Sequence, residues 1–236
     1  NYYGVIGDGT RGTSRYVPVE VSLPSGKQAR SLSNSGTSAD HMCAIMDDGS
    51  LYCWGYNYYG QIGDGTRCES NSYLYACNGN SGRSLPVEVP LPSGRTATAV
   101  STSFFSTCAI LDDGSVWCWG DNSNGQLGVG NTTQGDWSYS PTKTLLPTGR
   151  TATAIASGYE HNCAVLDDNT AVCWGSNSEY QLGNGTNSTD DRPIPAYVTT
   201  SLRFSSIAAG HQHTCAITTD NDLYCWGDNY EFQLGS

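Results

Sequence analysis

The sequence predicts an all-β array of four copies of one antiparallel unit, and three observations carry that prediction. A cysteine-bearing block recurs four times, the stretches ahead of it alternate with the two-residue period of a strand, and glycine-rich turns separate the copies. The block Cys43 to Gly55 returns as Cys108 to Gly120, Cys163 to Gly175 and Cys215 to Gly227. Each copy runs into an Asn followed by Gln-(Ile/Leu)-Gly: Asn57 with Gln61 to Gly63, Asn122 with Gln126 to Gly128, Asn177 with Gln181 to Gly183, and Asn229 with Gln233 to Gly235. Ahead of the block lie alternating stretches such as Thr96-Ala97-Thr98-Ala99-Val100 and Thr151-Ala152-Thr153-Ala154-Ile155, introduced by Leu-Pro-(Ser/Thr)-Gly-(Lys/Arg) at Leu23, Leu91 and Leu146. The equivalent tryptophans Trp54, Trp119, Trp174 and Trp226 stand 65, 55 and 52 residues apart, room for three or four strands per unit. Residues 1–236 read as one array centred on hairpins 43–53, 108–118, 163–173 and 215–225, with an insertion at 67–83 in the first unit.

The hairpins follow from turn chemistry. Taking the loops as Asp47 to Gly49, Asp112 to Gly114, Asp167 to Asn169 and Thr219 to Asn221, the third residue is Gly, Gly, Asn and Asn, the types that tolerate a left-handed backbone. In that register the cysteines ten residues apart, Cys43/Cys53, Cys108/Cys118, Cys163/Cys173 and Cys215/Cys225, fall opposite each other on adjacent strands, within disulfide reach. Zinc is the competing use of paired cysteines, but it wants four ligands in one place, and this spacing distributes two per unit. Cys68 and Cys77, both in the insertion, are left to pair with each other. Five disulfides imply an oxidising, extracellular or cell-surface setting.

With these motifs quoted, the chain resembles a known family. The string His-x-Cys-Ala-(Ile/Val), Asp-Gly, Cys-Trp-Gly-x-Asn, Gln-Leu-Gly-x-Gly-Thr is similar to the RCC1 repeat, in its cysteine-bearing, exported form, over essentially the whole chain. The resemblance implies an RCC1-like β-propeller or propeller segment, with blades of four antiparallel strands set radially. The nuclear founder of that family exchanges nucleotide on a small GTPase and docks on chromatin. A shared scaffold does not transfer that activity to an acidic, cysteine-rich chain.

Composition narrows the function classes. The net charge is −11, charged residues make up 14%, and the only lysines are Lys27 and Lys143, so no basic stripe is available for nucleic acid. No apolar run approaches a membrane span. The stretch Gly7-Asp8-Gly9-Thr10-Arg11-Gly12 matches a dinucleotide-binding pattern, yet the same turn recurs at Gly63, Gly128 and Gly183 without the third glycine, so it reads as a repeat turn.

Other candidate sites also read as parts of the repeat. His41, His161 and His213 each precede a hairpin cysteine by two residues, with Ser106 in that place in the second unit; one per unit predicts a structural histidine bonded to neighbouring backbone. His211 beside His213 offers two metal ligands without a third. The loop aspartates lack the spacing of a calcium loop, and no nucleophile elbow or carboxylate pair is placed. No enzyme activity, cofactor or metal is expected.

Two further groups of residues are singled out. Asn131, Asn184 and Asn187 head glycosylation sequons in loops expected to be exposed. Tyr56, Tyr58, Tyr59, Phe104, Phe105, Trp137 and Tyr139 differ from copy to copy, which marks them either as an interaction surface or as cover for blade edges. Asn1 to Thr10 repeats Asn57 to Thr66 at nine of ten positions, and Asn229 to Gly235 repeats the element again. Termini in the same phase suggest a longer array or head-to-tail stacking into a filament. The expected function is a non-enzymatic extracellular structural and interaction module, glycosylated, with copies of itself or another surface protein as partners. A secreted lectin-like or inhibitor-like binding propeller is the alternative.

Overall fold

A computed structural model of the chain describes residues 1–33, 39–67, 82–132 and 137–235. Among the described residues, fifteen strands form four antiparallel meanders, each in chain order. Blade 1 is β1 (Ala29–Leu32), β2 (His41–Met46), β3 (Leu51–Tyr56) and β4 (Gly82–Glu88); blade 2 is β5 (Ala97–Thr102), β6 (Ser106–Leu111), β7 (Val116–Asp121) and β8 (Trp137–Lys143). Blade 3 is β9 (Ala152–Ser157), β10 (His161–Leu166), β11 (Ala171–Gly175) and β12 (Arg192–Tyr197). Blade 4 is β13 (Phe204–Ala209), β14 (His213–Thr218) and β15 (Leu223–Gly227). First strands of successive blades touch, β5 with β9 and β9 with β13, so they line the inner side.

The hairpins take the register that their turn residues dictate. Gly49, Gly114, Asn169 and Asn221 have φ of 80°, 73°, 62° and 70°, closing three-residue loops. Cys43 lies opposite Cys53, and Cys108, Cys163 and Cys215 lie opposite Cys118, Cys173 and Cys225. All four pairs stand at disulfide distance with Cα separations of 4.1 Å. That is shorter than the 4.5–5.5 Å typical of facing residues, and the register explains it. Met46 donates its backbone N–H to Ser50, so counting outward puts Cys43 and Cys53 in a non-hydrogen-bonded pair, the closer kind. Cys68 and Cys77, and with them most of the insertion, lie outside the described residues.

The hydrophobic core is divided into layers between blades. One layer joins Cys43, Ile45, Leu51 and Ile62 of blade 1 to Val100, Leu111 and Trp119 of blade 2; the next two join blade 2 to blade 3 and blade 3 to blade 4. A fourth layer lies behind blade 1, where Val21 and Leu23 cover Ala44, Met46, Tyr52 and Trp54. The middle strands of blades 1 to 3 are therefore buried on both faces, one toward each neighbour. This accounts for runs such as Cys-Ala-Ile-Met that are apolar at every position.

Candidate interaction surface

What one blade presents to the next is built from the repeated residues themselves. In each Asn-x-x-x-Gln-(Ile/Leu)-Gly turn the Asn Oδ1 accepts a backbone N–H five residues on: Ile62 for Asn57, Leu127 for Asn122, Leu182 for Asn177 and Leu234 for Asn229. The turn so fixed aims the Gln carbonyl at the following blade. Trp119, Trp174 and Trp226 donate their indole N–H to the carbonyls of Gln61, Gln126 and Gln181, each at 2.9 Å. Trp54 donates to Val5 at 2.8 Å, within the segment that copies the same turn. The tryptophans thus pack between blades, as the repeat predicts, and the preceding turn must keep its glycine. A Cβ on Gly63 would stand 2.5 Å from the Trp119 Nε1, at a φ of +80°.

The same carbonyls receive a second donor. Thr107 Oγ1 donates to Gln61 at 2.8 Å, Asn162 Nδ2 to Gln126 at 2.7 Å, and Thr214 Oγ1 to Gln181 at 2.9 Å. The structure here corrects the expectation for the histidines. His41 Nε2 lies 2.7 Å from Thr107 Oγ1 and His161 Nε2 lies 3.0 Å from Thr214 Oγ1, so the partner is a hydroxyl of the next blade instead of neighbouring backbone. Each hydroxyl gives its own proton to the Gln carbonyl, so Nε2 is the donor, and burial favours the neutral ring. Nδ1 of both rings is buried without a partner, and burial lowers both histidines to about 3. In blade 2, Ser106 replaces the histidine and bonds Ser103 at 2.7 Å, and blade 3 carries Asn162 where Thr would stand.

The loop aspartates also do more than form turns. Asp48, Asp113 and Asp168 each accept from the backbone N–H two residues on, as turn chemistry predicts. They also meet the cation of the Leu-Pro-(Ser/Thr)-Gly-(Lys/Arg) loop: Lys27 with Asp48, Arg95 with Asp112 and Asp113, Arg150 with Asp167 and Asp168. Pairing two motifs from different parts of each repeat needed the fold to bring them together. Among the described residues, no three His, Cys, Asp or Glu side chains assemble as a metal site, and none stands around His211 and His213.

At the opposite end of the sheets the fold gathers the variable aromatics into one ridge. Tyr56 and Tyr58 stack at 6.3 Å, Tyr58 and Tyr59 meet Trp137 at 6.0 and 5.3 Å, and Tyr59 meets Phe105 at 4.3 Å. The ridge continues from Phe105 to Phe104, Tyr159 and His211 at 4.2, 4.7 and 4.2 Å, reaching blade 4. The guanidinium of Arg67 sits over the rings of Trp137 and Tyr139, 5.3 and 5.2 Å from their centroids. Tyr159, and His211 as a ring of this surface, are not among the aromatics that the sequence singles out. Their signal is that they occupy the same loop position as Phe104, four residues before the first cysteine of a hairpin block.

Two further surfaces bear on function. Blade 4 exposes the face that the other blades bury: Ile217 and Leu223 are 40% and 68% exposed, whereas their counterparts Ile45 and Leu51 are 1% and 0%. Of the sequon residues, Asn131 and Asn187 are exposed, but the Asn184 Nδ2, the atom that would carry glycan, is buried. Asn184 itself is half-exposed, and its Oδ1 accepts the Thr186 backbone N–H at 3.1 Å.

Antiparallel meanders of three or four strands, inter-blade cores and a repeated indole-to-carbonyl lock define a β-propeller segment with a hairpin cysteine pair in every blade. The chain belongs to the RCC1 repeat family. Two family models, both described as the regulator of chromosome condensation (RCC1) repeat, match it, one at residues 36–61, 97–126, 152–181 and 204–233, the other at 113–165 and 171–217. It is 32% identical over 205 residues to the RCC1 domain-containing protein RUG3, mitochondrial, of Arabidopsis thaliana, covering 86% of this chain and 44% of that protein. It is 27% identical over 197 residues to the ultraviolet-B receptor UVR8 of the same plant, covering 84% and 41%. Prp20p of Saccharomyces cerevisiae superposes with a TM-score of 0.76 at 20% identity, over 92% of this chain and 49% of that one. The chain thus spans less than half the length of these relatives. Its fold is an RCC1-type propeller array, suited to protein interaction.

Proposed function

We propose that this chain is a non-enzymatic structural and interaction module that works outside the cell, as one tile of a larger assembly. One observation carries the reading: the forward face of blade 4, with Ile217 and Leu223 exposed, matches faces that three successive interfaces of the same molecule bury. The unit that covers it has the complementary backward face, a tryptophan for the Gln233 carbonyl and an apolar first strand. A further blade or a second copy of the chain supplies both, in a ring or in a head-to-tail filament. The extracellular setting is supported by the cysteine pairs, and glycan on the exposed loops by the sequons at Asn131 and Asn187.

Sedimentation of the oxidised chain over a concentration series tests the tile. Association is expected, and Leu223→Asp, which puts a charge on the forward face, is expected to abolish it. A wild-type chain that stays monomeric at every concentration refutes the proposal. The secreted ligand-binding alternative has one observation in its favour, the aromatic ridge at the far end of the blades.

A further inference from the structure

The two ends of the blades treat charge in opposite ways. At the hairpin end, the loop aspartates of blades 1 to 3 are matched by Lys27, Arg95 and Arg150. At the other end, two kinds of loop meet: those joining first to second strands, and the turns that follow each Cys-Trp-Gly. Backbone hydrogen bonds tie them together blade by blade, Tyr56 to Asp40, Asp121 to Phe105, Ser176 to Glu160 and Asp228 to Gln212. Counted as far as the Gln-(Ile/Leu)-Gly of each turn, these loops carry Asp40, Asp121, Glu160, Glu179, Asp228 and Glu231 and no lysine or arginine. None of the six is ion-paired among the described residues.

Through the same loops runs the ring chain Phe105, Phe104, Tyr159 and His211, half-buried until it reaches the exposed His211. Tyr159 is followed by Glu160, whose Oε2 accepts from Asn124 at 2.7 Å, and burial together with Asp121 and Asp191 raises the Glu160 carboxyl above its ordinary value. An uncompensated, partly desolvated carboxylate beside a π-face is the environment that a guanidinium or ammonium group satisfies best, since it answers the charge and the ring quadrupole at once. The rim already holds one such group: Arg67 lies on Trp137 and Tyr139 at its outer edge. Other cations on that side are engaged or stand on the outer strands: Arg11 bonds the Gly82 carbonyl, Arg83 is paired with Asp64, and Arg192 opens β12.

We propose that the rim formed by Phe104, Phe105, Tyr159, Glu160 and His211 docks an arginine- and lysine-bearing segment of a partner protein. Its partner is identified by charge complementarity, acid and π-face on this chain against base on the other. The surface is separate from the forward face of blade 4, so the two proposals stand or fall independently.

The test uses the oxidised chain and a fluorescein-labelled oligoarginine peptide, with its neutral citrulline isostere as the control, read by fluorescence anisotropy. The arginine peptide is expected to bind and the citrulline peptide to bind at least about tenfold more weakly. Glu160→Gln, which keeps the shape and the Asn124 bond, and Tyr159→Ala should each weaken binding severalfold. Asp220→Asn, one charge fewer at the hairpin end, should leave it unchanged. Binding should also fall at about 0.5 M salt. Equal binding of both peptides, no binding of either, or equal losses for Glu160→Gln and Asp220→Asn overturns the proposal. So does a rim that ignores the peptides and retains a neutral oligosaccharide on a glycan array, which assigns the rings to sugar stacking instead.

Discussion

Trp119 of blade 2 donates its indole N–H to the Gln61 carbonyl of blade 1 at 2.9 Å, and Thr107 donates to the same oxygen at 2.8 Å. The link recurs between blades 2 and 3 and between blades 3 and 4. It joins the most repeated residue of one unit to the most repeated turn of the one before it. Conditions that strain this joint should unzip the array between blades, where the cores lie, before they unravel the disulfide-spanned hairpins.

Removing the indole donor while keeping an aromatic filler separates the hydrogen bond from the packing. Trp119→Phe is expected to cost about 1–2 kcal/mol, because Thr107 still satisfies part of the Gln61 carbonyl, and Trp119→Ala about 3–5 kcal/mol. Gly63→Ala should be costly as well, since its Cβ would meet Trp119, whereas Gly12→Ala, with nothing within 4 Å and a similarly positive φ, bears only the backbone strain. Urea denaturation of the oxidised variants reads these differences, and equal costs at Gly63 and Gly12 would show that the indole contact is unimportant.

Acid should weaken the fold through two histidines. His41 and His161 are held at about 3, below the ordinary 6.5, so the unfolded chain takes up their protons first. Stability is therefore complete above pH 6.5 and falls as pH drops toward 3, with a limiting slope of about 1.4 kcal/mol per pH unit for each ring. The raised carboxyls of Asp40, Glu160 and Asp191 oppose this just above their ordinary values, and the lowered ones of Asp113 and Asp168 reinforce it below theirs. Comparing wild type with His41→Gln and His161→Gln isolates the histidines. Parallel stability-against-pH curves for the three proteins would remove them as the cause.

Non-reducing peptide mapping should recover Cys43–Cys53, Cys108–Cys118, Cys163–Cys173 and Cys215–Cys225 as linked pairs, and Cys68–Cys77 as the fifth. Each closes a short loop, worth about 2.5 kcal/mol on the chain-entropy account. Free thiols at these positions in native material would count against both the staples and the oxidising compartment.

Glycan should discriminate between adjacent sequons. In material from a eukaryotic source, Asn187 should carry added mass and Asn184 should not, because the Asn184 amide nitrogen is buried and its oxygen caps Thr186. Mass spectrometry of glycopeptides decides, and modification at Asn184 would mean that this turn opens before or during folding.

The sequence by itself determined the unit. Its period, its hairpin loops ending in Gly49, Gly114, Asn169 and Asn221, the facing cysteines and the inter-blade tryptophans are all local or periodic, so a linear reading reaches them. Tertiary structure alone decided what meets across units. That His41 serves Thr107 and His161 serves Thr214, while Ser106 accompanies Asn162, is a covariation between positions more than fifty residues apart that only stacked blades make contiguous. The aromatic ridge belongs to the same category. Phe104, Tyr159 and His211 occupy one loop position in three repeats, but whether three rings one blade apart touch depends on the radial spacing of the sheets, which no sequence period encodes. Local hydrogen bonds and turn preferences act within a few residues and so are written along the chain, whereas burial and ring contact depend on distances between blades that arise only when the sheets pack.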